Sequence, residues 1–221
     1  MFIGLTGPTG AGKTTLAQRL AERLGARLMR DPFVDNPSLS KLYAAGATHP
    51  VALALEVELT FLALRVAQLR EIHDLLNQGT SVVADWSMAQ QVIFAHTTLP
   101  PEDASRVRKT WATWSDAAAR PDLLIALTAP SPVLARRIAQ RGRPMESALS
   151  TVYLEHLTQA FDTALCDYAS RVIRLDTSEF DAFNDEDVNA LLTRLPALER
   201  SWPKPKSHSY ALPTRLPAAG S

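Results

Sequence analysis

The chain has almost no cysteine, no excess of charge of either sign and no long apolar run, and each shortage excludes something. Of its 221 residues only Cys166 is a cysteine, so no internal disulfide can form and a disulfide-stapled scaffold is excluded. The helical, apolar neighbourhood of Cys166 reads as a buried thiol and not as a nucleophile. The 23 basic residues balance 23 acidic ones, so no overall field draws in nucleic acid or a membrane surface, and any anion binding has to come from specific sites. No apolar stretch approaches the ~18 residues of a membrane span, and a strand pattern begins so close to the first residue that no signal peptide fits ahead of it. With 46% apolar residues, the expectation is one cytoplasmic α/β domain with a single core, without nucleic-acid or membrane partners. No internal repeat is visible.

What is present is concentrated at the start. Phe2-Ile3-Gly4-Leu5-Thr6 reads as a buried strand, residues 15–24 as a helix, and between them Gly7-Pro8-Thr9-Gly10-Ala11-Gly12-Lys13-Thr14 spaces glycines, a lysine and a hydroxyl as a phosphate loop does. Glycines let backbone N–H groups approach phosphate oxygens closely, and the helix that follows adds the positive end of its dipole. Gly7, Gly10, Ala11, Gly12, Lys13, Thr14 and Thr15 are therefore the nucleotide-binding candidates. Lys13 reaches for the β- and γ-phosphates, the Thr14 hydroxyl is a Mg²⁺ ligand, and Thr15 packs or caps. The alternative is a glycine-rich turn without a ligand.

Further along, residues 27–30 predict a short strand that delivers Asp31-Pro32 to a C-terminal strand edge, where ligands bind in open α/β sheets. Residues 38–45 read as a short helix. Residues 51–77 carry Leu55, Leu59, Leu62, Val66, Leu69, Ile72 and Leu76 at helical spacing, a helix long enough to cross the domain, with a second stripe available to a partner subunit. Residues 81–85 form a β-branched strand ending in Asp85, a carboxylate placed for Mg²⁺. Residues 100–119 predict a helix with Trp111 and Trp114 in the core, residues 123–127 a central parallel strand, and the stretch from Pro132 a helix running into Arg137, Arg141 and Arg143. These arginines read either as a solvated face or as an anion clamp. A helix over 147–168, a strand over 172–175 and a short helix over 185–194 close the domain. From 196 to 221 a composition rich in Pro, Ser, Lys and Arg predicts an extended tail, parts of it pinned by Trp202 and Tyr210.

Together these residues resemble the deoxynucleoside kinases over about residues 1–195. The family follows its phosphate loop with Glu-Pro, and this chain has Asp31-Pro32, then Asp35-Asn36-Pro37 through Leu42-Tyr43. The resemblance implies Asp31 as general base, one methylene shorter than the usual Glu, and sets Tyr43 against the sugar. On the long helix the family's Gln and Arg fall on Glu58 and Arg65. Glu58 departs from the pattern, and because an ionised Glu only accepts hydrogen bonds it favours a base edge rich in N–H groups, such as that of guanine. The family's Asp/Glu-Arg-Ser block reads Asp85-Trp86-Ser87, with Trp86 where a cation belongs and Gln90-Gln91 where charges often sit. Trp86 and Gln91 are carried over as substrate-side residues nonetheless. Arg137, Arg141, Arg143 and Glu146 match the spacing of the family's lid, which implies arginines closing on phosphates and Glu146 accepting from the 3′-hydroxyl. Asp176 and the Asp181-Ala182-Phe183 segment resemble the adenine loop.

The resemblance implies a P-loop NTPase fold, a five-stranded parallel sheet flanked by helices with an Arg-rich lid. It also implies ATP and Mg²⁺ as cofactors, a deoxynucleoside acceptor, in-line phosphoryl transfer, and a dimer with itself or with a related kinase. Two other functions stay open at this point. A nucleoside monophosphate or other small-metabolite kinase shares the loop and the lid, and a weakly catalytic regulatory partner is motivated by Trp86, Gln90 and Gln91.

Overall fold

A computed structural model describes residues 1–115, 118–147, 149–166 and 172–201, with the side chains at 47, 166 and 196–201 outside that description. Five parallel strands form one sheet: β1 (Phe2–Thr6), β2 (Arg27–Met29), β3 (Val82–Ala84), β4 (Leu123–Thr128) and β5 (Val172–Asp176), ordered β2-β3-β1-β4-β5. The strand alternation sorts the core. Ile3 and Leu5 of β1, Val83 of β3 and Leu123, Ile125 and Leu127 of β4 face one layer, where α1 (Lys13–Leu24) and α6 (Ser131–Arg141) supply Leu16, Leu20, Leu134 and Ile138. Phe2, Val82 and Ala84 face the other, under α3 (Val51–Asn77) and α5 (Pro101–Ala112). There α4 (Met88–Thr98) and α7 (Thr151–Cys166) cover Leu124 and Ala126. Both faces of the sheet are covered, so its three inner strands β3, β1 and β4 are apolar runs, while the edge strands β2 and β5 expose Arg27 and Arg174.

Parallel strands place all their C-terminal ends on one edge, and this positions the site. β1 leaves into the phosphate loop, β2 ends two residues before Asp31, and β3 ends one residue before Asp85. The register Met29↔Ala84 brings the two carboxylates side by side, with Asp85 N–H donating to Met29 C=O at 3.1 Å. Gly7 is where the chain turns out of β1. With φ of 145° and the Leu127 carbonyl 2.4 Å from where a Cβ would stand, only glycine fits.

The long helix is present, but of the expected stripe only Leu62, Leu69 and Ile72 are buried. Ala54, Val57, Phe61, Leu62, Leu69 and Ile72 make the core face together with Glu58 and Arg65, while Leu59 is exposed and Leu55, Val66 and Leu76 are only partly covered. The hydrophobic pattern alone is ambiguous because the helix is apolar nearly all round, and two charges on the inner face mark its functional side.

Other expectations need correction. The helix expected over 100–119 ends at Ala112, and an unpredicted helix, α4, precedes it, capped by Ser87 Oγ accepting from Gln90 N–H. Trp111 is buried as expected, whereas Trp114 is half exposed. The last helix, α8 (Asp185–Ser201), runs past residue 195, so the expected tail does not begin at 196. The remainder of that tail, with Trp202 and Tyr210, lies outside the described residues, as do Tyr168 at the expected end of α7 and the surroundings of the Cys166 side chain. The short helix before α3 is α2 (Leu39–Ala45).

Candidate active site

A cavity of about 300 Å³ opens at the C-terminal edge of the sheet. Its floor is the loop, where Gly10 and Gly12 take φ of 86° and 88°. Lys13 Nζ donates to the carbonyls of Gly7 at 2.8 Å and Pro8 at 3.0 Å, folding the side chain back over its own loop. Burial pulls the Lys13 ammonium down to about 8, against the raising influence of Asp31 and Asp85. Asp31 and Lys13 therefore share one electrostatic neighbourhood.

Asp31 faces inward and is held from several sides. Arg65 donates through Nε to Oδ1 at 3.2 Å and through Nη2 to both oxygens, at 2.8 and 3.0 Å, while Gln90 Nε2 donates to Oδ2 at 3.1 Å. The backbone N–H of Asp31 donates to Asp85 Oδ1. Burial raises the pKa of Asp85, opposed chiefly by the nearby Thr14 hydroxyl, so these two oxygen groups stand together at the lip of the loop. Arg65 itself is boxed by rings, its guanidinium carbon 4.6 Å from the Phe61 centroid and 5.6 Å from that of Trp86.

At the far end Glu58 accepts from Gln91 Nε2 at 2.8 Å and from Thr98 Oγ1 at 2.9 Å, and Arg65 Nη1 donates to Gln91 Oε1 at 2.6 Å. Burial lifts the Glu58 carboxyl to about 7, opposed by Thr98, Arg65 and Gln91. Tyr43 lines the same cavity, its hydroxyl pKa raised by burial and by the Glu146 charge. Glu146, buried, pairs with Arg141 and, at 3.4 Å, with Arg143, whose guanidinium lies 4.3 Å from the Phe33 ring centroid.

Most of the sequence candidates meet here: Gly10, Gly12, Lys13, Thr14, Thr15, Asp31, Tyr43, Glu58, Arg65, Asp85, Arg141, Arg143 and Glu146 all line the cavity. Four do not. Gly7 only shapes the turn. Gln91 is fully buried and works through Arg65 and Glu58. Trp86 is 1% exposed and packs in the core beneath Arg65, so it corrects the expectation of a substrate-side residue. Arg137 is tied to the residue after β5, its Nη1 donating to Thr177 Oγ1 at 2.8 Å and its Nη2 to the Thr177 carbonyl at 2.5 Å. It lines a second cavity of about 520 Å³, with Ala11 and the Asp181-Ala182-Phe183 segment, on the other side of the loop, whereas Arg141 borders both cavities. Sequence reasoning missed Gln90 as a partner of Asp31, and Thr98, Phe33 and Phe94 as lining. Gln90 stands out in the sequence only as a departure from charge and Phe94 only as part of the Phe-Ala that the family's third block carries, and no local motif marks Thr98 or Phe33 as lining.

A phosphate-loop pattern that borders two cavities, with the Asp31 carboxylate lining the first, is the arrangement of an α/β phosphotransferase that takes its phosphate from a nucleotide. A family model for deoxynucleoside kinase matches residues 3–198. Deoxyguanosine kinase of Bacillus subtilis (strain 168) is 36% identical over 165 residues, covering 74% of this chain and 78% of that protein. The deoxyadenosine/deoxycytidine kinase of the same organism is 30% identical over 195 residues, 84% and 87% of the two chains. In fold, a solved deoxyadenosine kinase from M. mycoides is similar with a TM-score of 0.72 over 89% of this chain and 100% of that one, at 19% identity. The chain belongs to the deoxynucleoside kinase family, and so is a transferase that phosphorylates deoxynucleosides.

Proposed function

We propose that the chain transfers the γ-phosphate of ATP, bound with Mg²⁺, directly to the 5′-hydroxyl of a purine deoxynucleoside. The observation that carries this reading is the placement of Asp31. It lies in the same cavity as Lys13 and the loop, and Arg65 and Gln90 aim it at the space where a sugar hydroxyl fits. A loose phosphoryl-transfer transition state asks mainly for positioning and charge, and Asp31 orients the hydroxyl and receives its proton.

The residues present fit the donor. Backbone N–H groups between Gly10 and Thr14 cradle phosphates, and Lys13 swings from its loop carbonyls onto them. Asp85 and Thr14 offer Mg²⁺ one carboxylate and one hydroxyl, the hard oxygen set that this ion takes alongside phosphates. When bound, Mg²⁺ neutralises charge across the phosphoryl oxygens. Arg141 and Arg143 exchange Glu146 for phosphate oxygens as the lid closes, which frees Glu146 for the 3′-hydroxyl. Arg137 belongs on the adenine side of the donor, in the second cavity. Phe61, Phe94 and Tyr43 flank the sugar and base, with Glu58 at the base edge. In its ionised form the Glu58 carboxylate only accepts, which leans the acceptor toward guanine, the base in the name of one relative.

The kinase unit, expected over residues 1–195, extends with α8 to Ser201, and the rest of the chain is appended to it. A homodimer, or a heterodimer with a related kinase, forms through α3, where Val51 and Leu59 are exposed. The enzyme works in the cytoplasm; among the described residues no helix is long and apolar enough to cross a membrane. The test is a panel of deoxynucleosides and their monophosphates with Mg·ATP, with product analysis. Deoxynucleosides should yield monophosphates, and Asp31→Asn should remove that turnover while ATP still binds. Turnover of monophosphates alone, or of nothing, sinks the reading.

A further inference from the structure

Across the cavity from the loop, Glu58 sits in a cradle of donors. Gln91 Nε2 donates to Glu58 Oε2 at 2.8 Å and to the Glu58 carbonyl at 3.2 Å, and Arg65 fixes the amide by donating to its oxygen at 2.6 Å. Thr98 Oγ1 lies 2.9 Å from Glu58 Oε1 and 2.7 Å from the Phe94 carbonyl. A hydroxyl has one proton, so Thr98 donates to one of these acceptors at a time. With Glu58 ionised, that proton points to the carboxylate. With Glu58 protonated, it turns to Phe94, and the carboxyl carries a proton of its own to donate.

We propose that Glu58 and Thr98 together read the base edge by proton count, the ionised pair selecting guanine and the protonated pair admitting adenine, so that purine preference changes with pH. This rests on the kinase reading, with the base at the Glu58 end. Guanine presents N1–H and the N2 amino group, two donors suited to a carboxylate. Adenine presents the N1 acceptor and the N6 amino donor, which match a carboxylic acid with one O–H and one free oxygen.

Burial without a cation in contact places this ionisation near neutrality, since it lifts the Glu58 carboxyl to about 7. The other groups that face it do not take over the switch. Arg65, on the same helix, commits its guanidinium to Asp31 and Gln91. Tyr43 from α2 and Tyr153 from α7 have their pKa values raised by burial and stay neutral. From α4 come Gln91 and Thr98, which do not titrate. His49 touches the Thr98 carbonyl through Nε2 at 3.1 Å, so it needs a control.

The experiment is competition: deoxyguanosine and deoxyadenosine in one reaction with Mg·ATP and the full chain, from about pH 5.5 to about pH 9. The ratio of the two monophosphates cancels pH effects at the phosphate end, which both substrates share. The deoxyguanosine-to-deoxyadenosine ratio should rise about tenfold through a single-proton step near neutrality. Glu58→Gln, whose amide offers a donor and an acceptor at every pH, should flatten the step. Thr98→Val removes a donor to the ionised form and should move the midpoint upward, which a purely structural role for Thr98 would not do. His49→Gln should leave the midpoint in place. A ratio independent of pH, a step that survives in Glu58→Gln, or one abolished by His49→Gln overturns the proposal while the kinase reading stands. Phosphorylation of neither nucleoside at any pH overturns both.

Discussion

The two ends of the main cavity are built by different means. The end proposed for phosphate is a stretch of consecutive residues that offers backbone N–H donors, with glycines at positive φ and one lysine. At the base end, side chains are drawn together from separate elements, Glu58 and Arg65 on α3 and Gln91 and Thr98 on α4, and are joined by hydrogen bonds that each residue alone could make elsewhere. Asp31 sits between, its backbone tied to Asp85 and its carboxylate to the base-end network through Arg65. The phosphate end is therefore generic to nucleotide users, and the base end is where this chain differs from the pattern it resembles.

The sharpest way to break that comparison is at the junction. Asp31→Asn should lower kcat for the deoxynucleoside about 10²- to 10⁴-fold with little change in ATP affinity, measured by steady-state kinetics and nucleotide binding. Equal loss of ATP binding would mean that the two ends are one unit. Next in size, Trp86→Arg restores the cation of the family pattern at a position that is 1% exposed, against Arg65. It should destabilise the fold by about 3 kcal/mol or more by denaturant unfolding, because a second buried charge has no partner there. A more active, equally stable variant would place that side chain in the cavity.

Glu58→Gln isolates the cost of the base-end carboxylate. Its pKa is raised from 4.5 to about 7 on folding, so the folded chain binds the proton more tightly than the unfolded one. The resulting stability is fully present below about pH 4.5 and is lost as pH rises through about 7. At about 1.4 kcal/mol per pH unit the wild-type chain should lose roughly 3 kcal/mol over that window relative to the variant, read as the difference in unfolding free energy at either end. Parallel curves would show that Glu58 keeps its charge at no cost. The smallest effect is expected at the second cavity. Arg137→Ala should raise the KM for ATP about tenfold and leave deoxynucleoside KM unchanged, since its Thr177 contacts face away from the acceptor.

How much was legible follows the same division. The strand, loop and helix of residues 2–24, the C-terminal carboxylates of β2 and β3 and the lid spacing are local patterns, and the chain could be read there because secondary structure fixes where such residues point. The placement of Trp86 was not legible, because which way a residue after a strand faces depends on what α3 and α4 bring over it. Gln90 and Gln91 are adjacent and chemically identical, yet one touches Asp31 at the cavity and the other is buried beneath Glu58, a distinction made by the phase of a helix that carried no strong pattern of its own. Arg137 and Arg141 lie one turn apart and both border the second cavity, but Thr177 just past β5 holds the first of them out of the main cavity, which only Arg141 also reaches.

By itself, then, the sequence determined the parallel α/β scaffold and a phosphate-binding edge, because apolar runs, glycine conformations and strand ends act within a few residues of one another. The tertiary structure alone decided which carboxylate stays buried without a counter-ion, which arginine serves which cavity and what Trp86 supports. These depend on desolvation and on hydrogen-bond partners that arrive from distant parts of the chain, and neither is encoded in any one stretch.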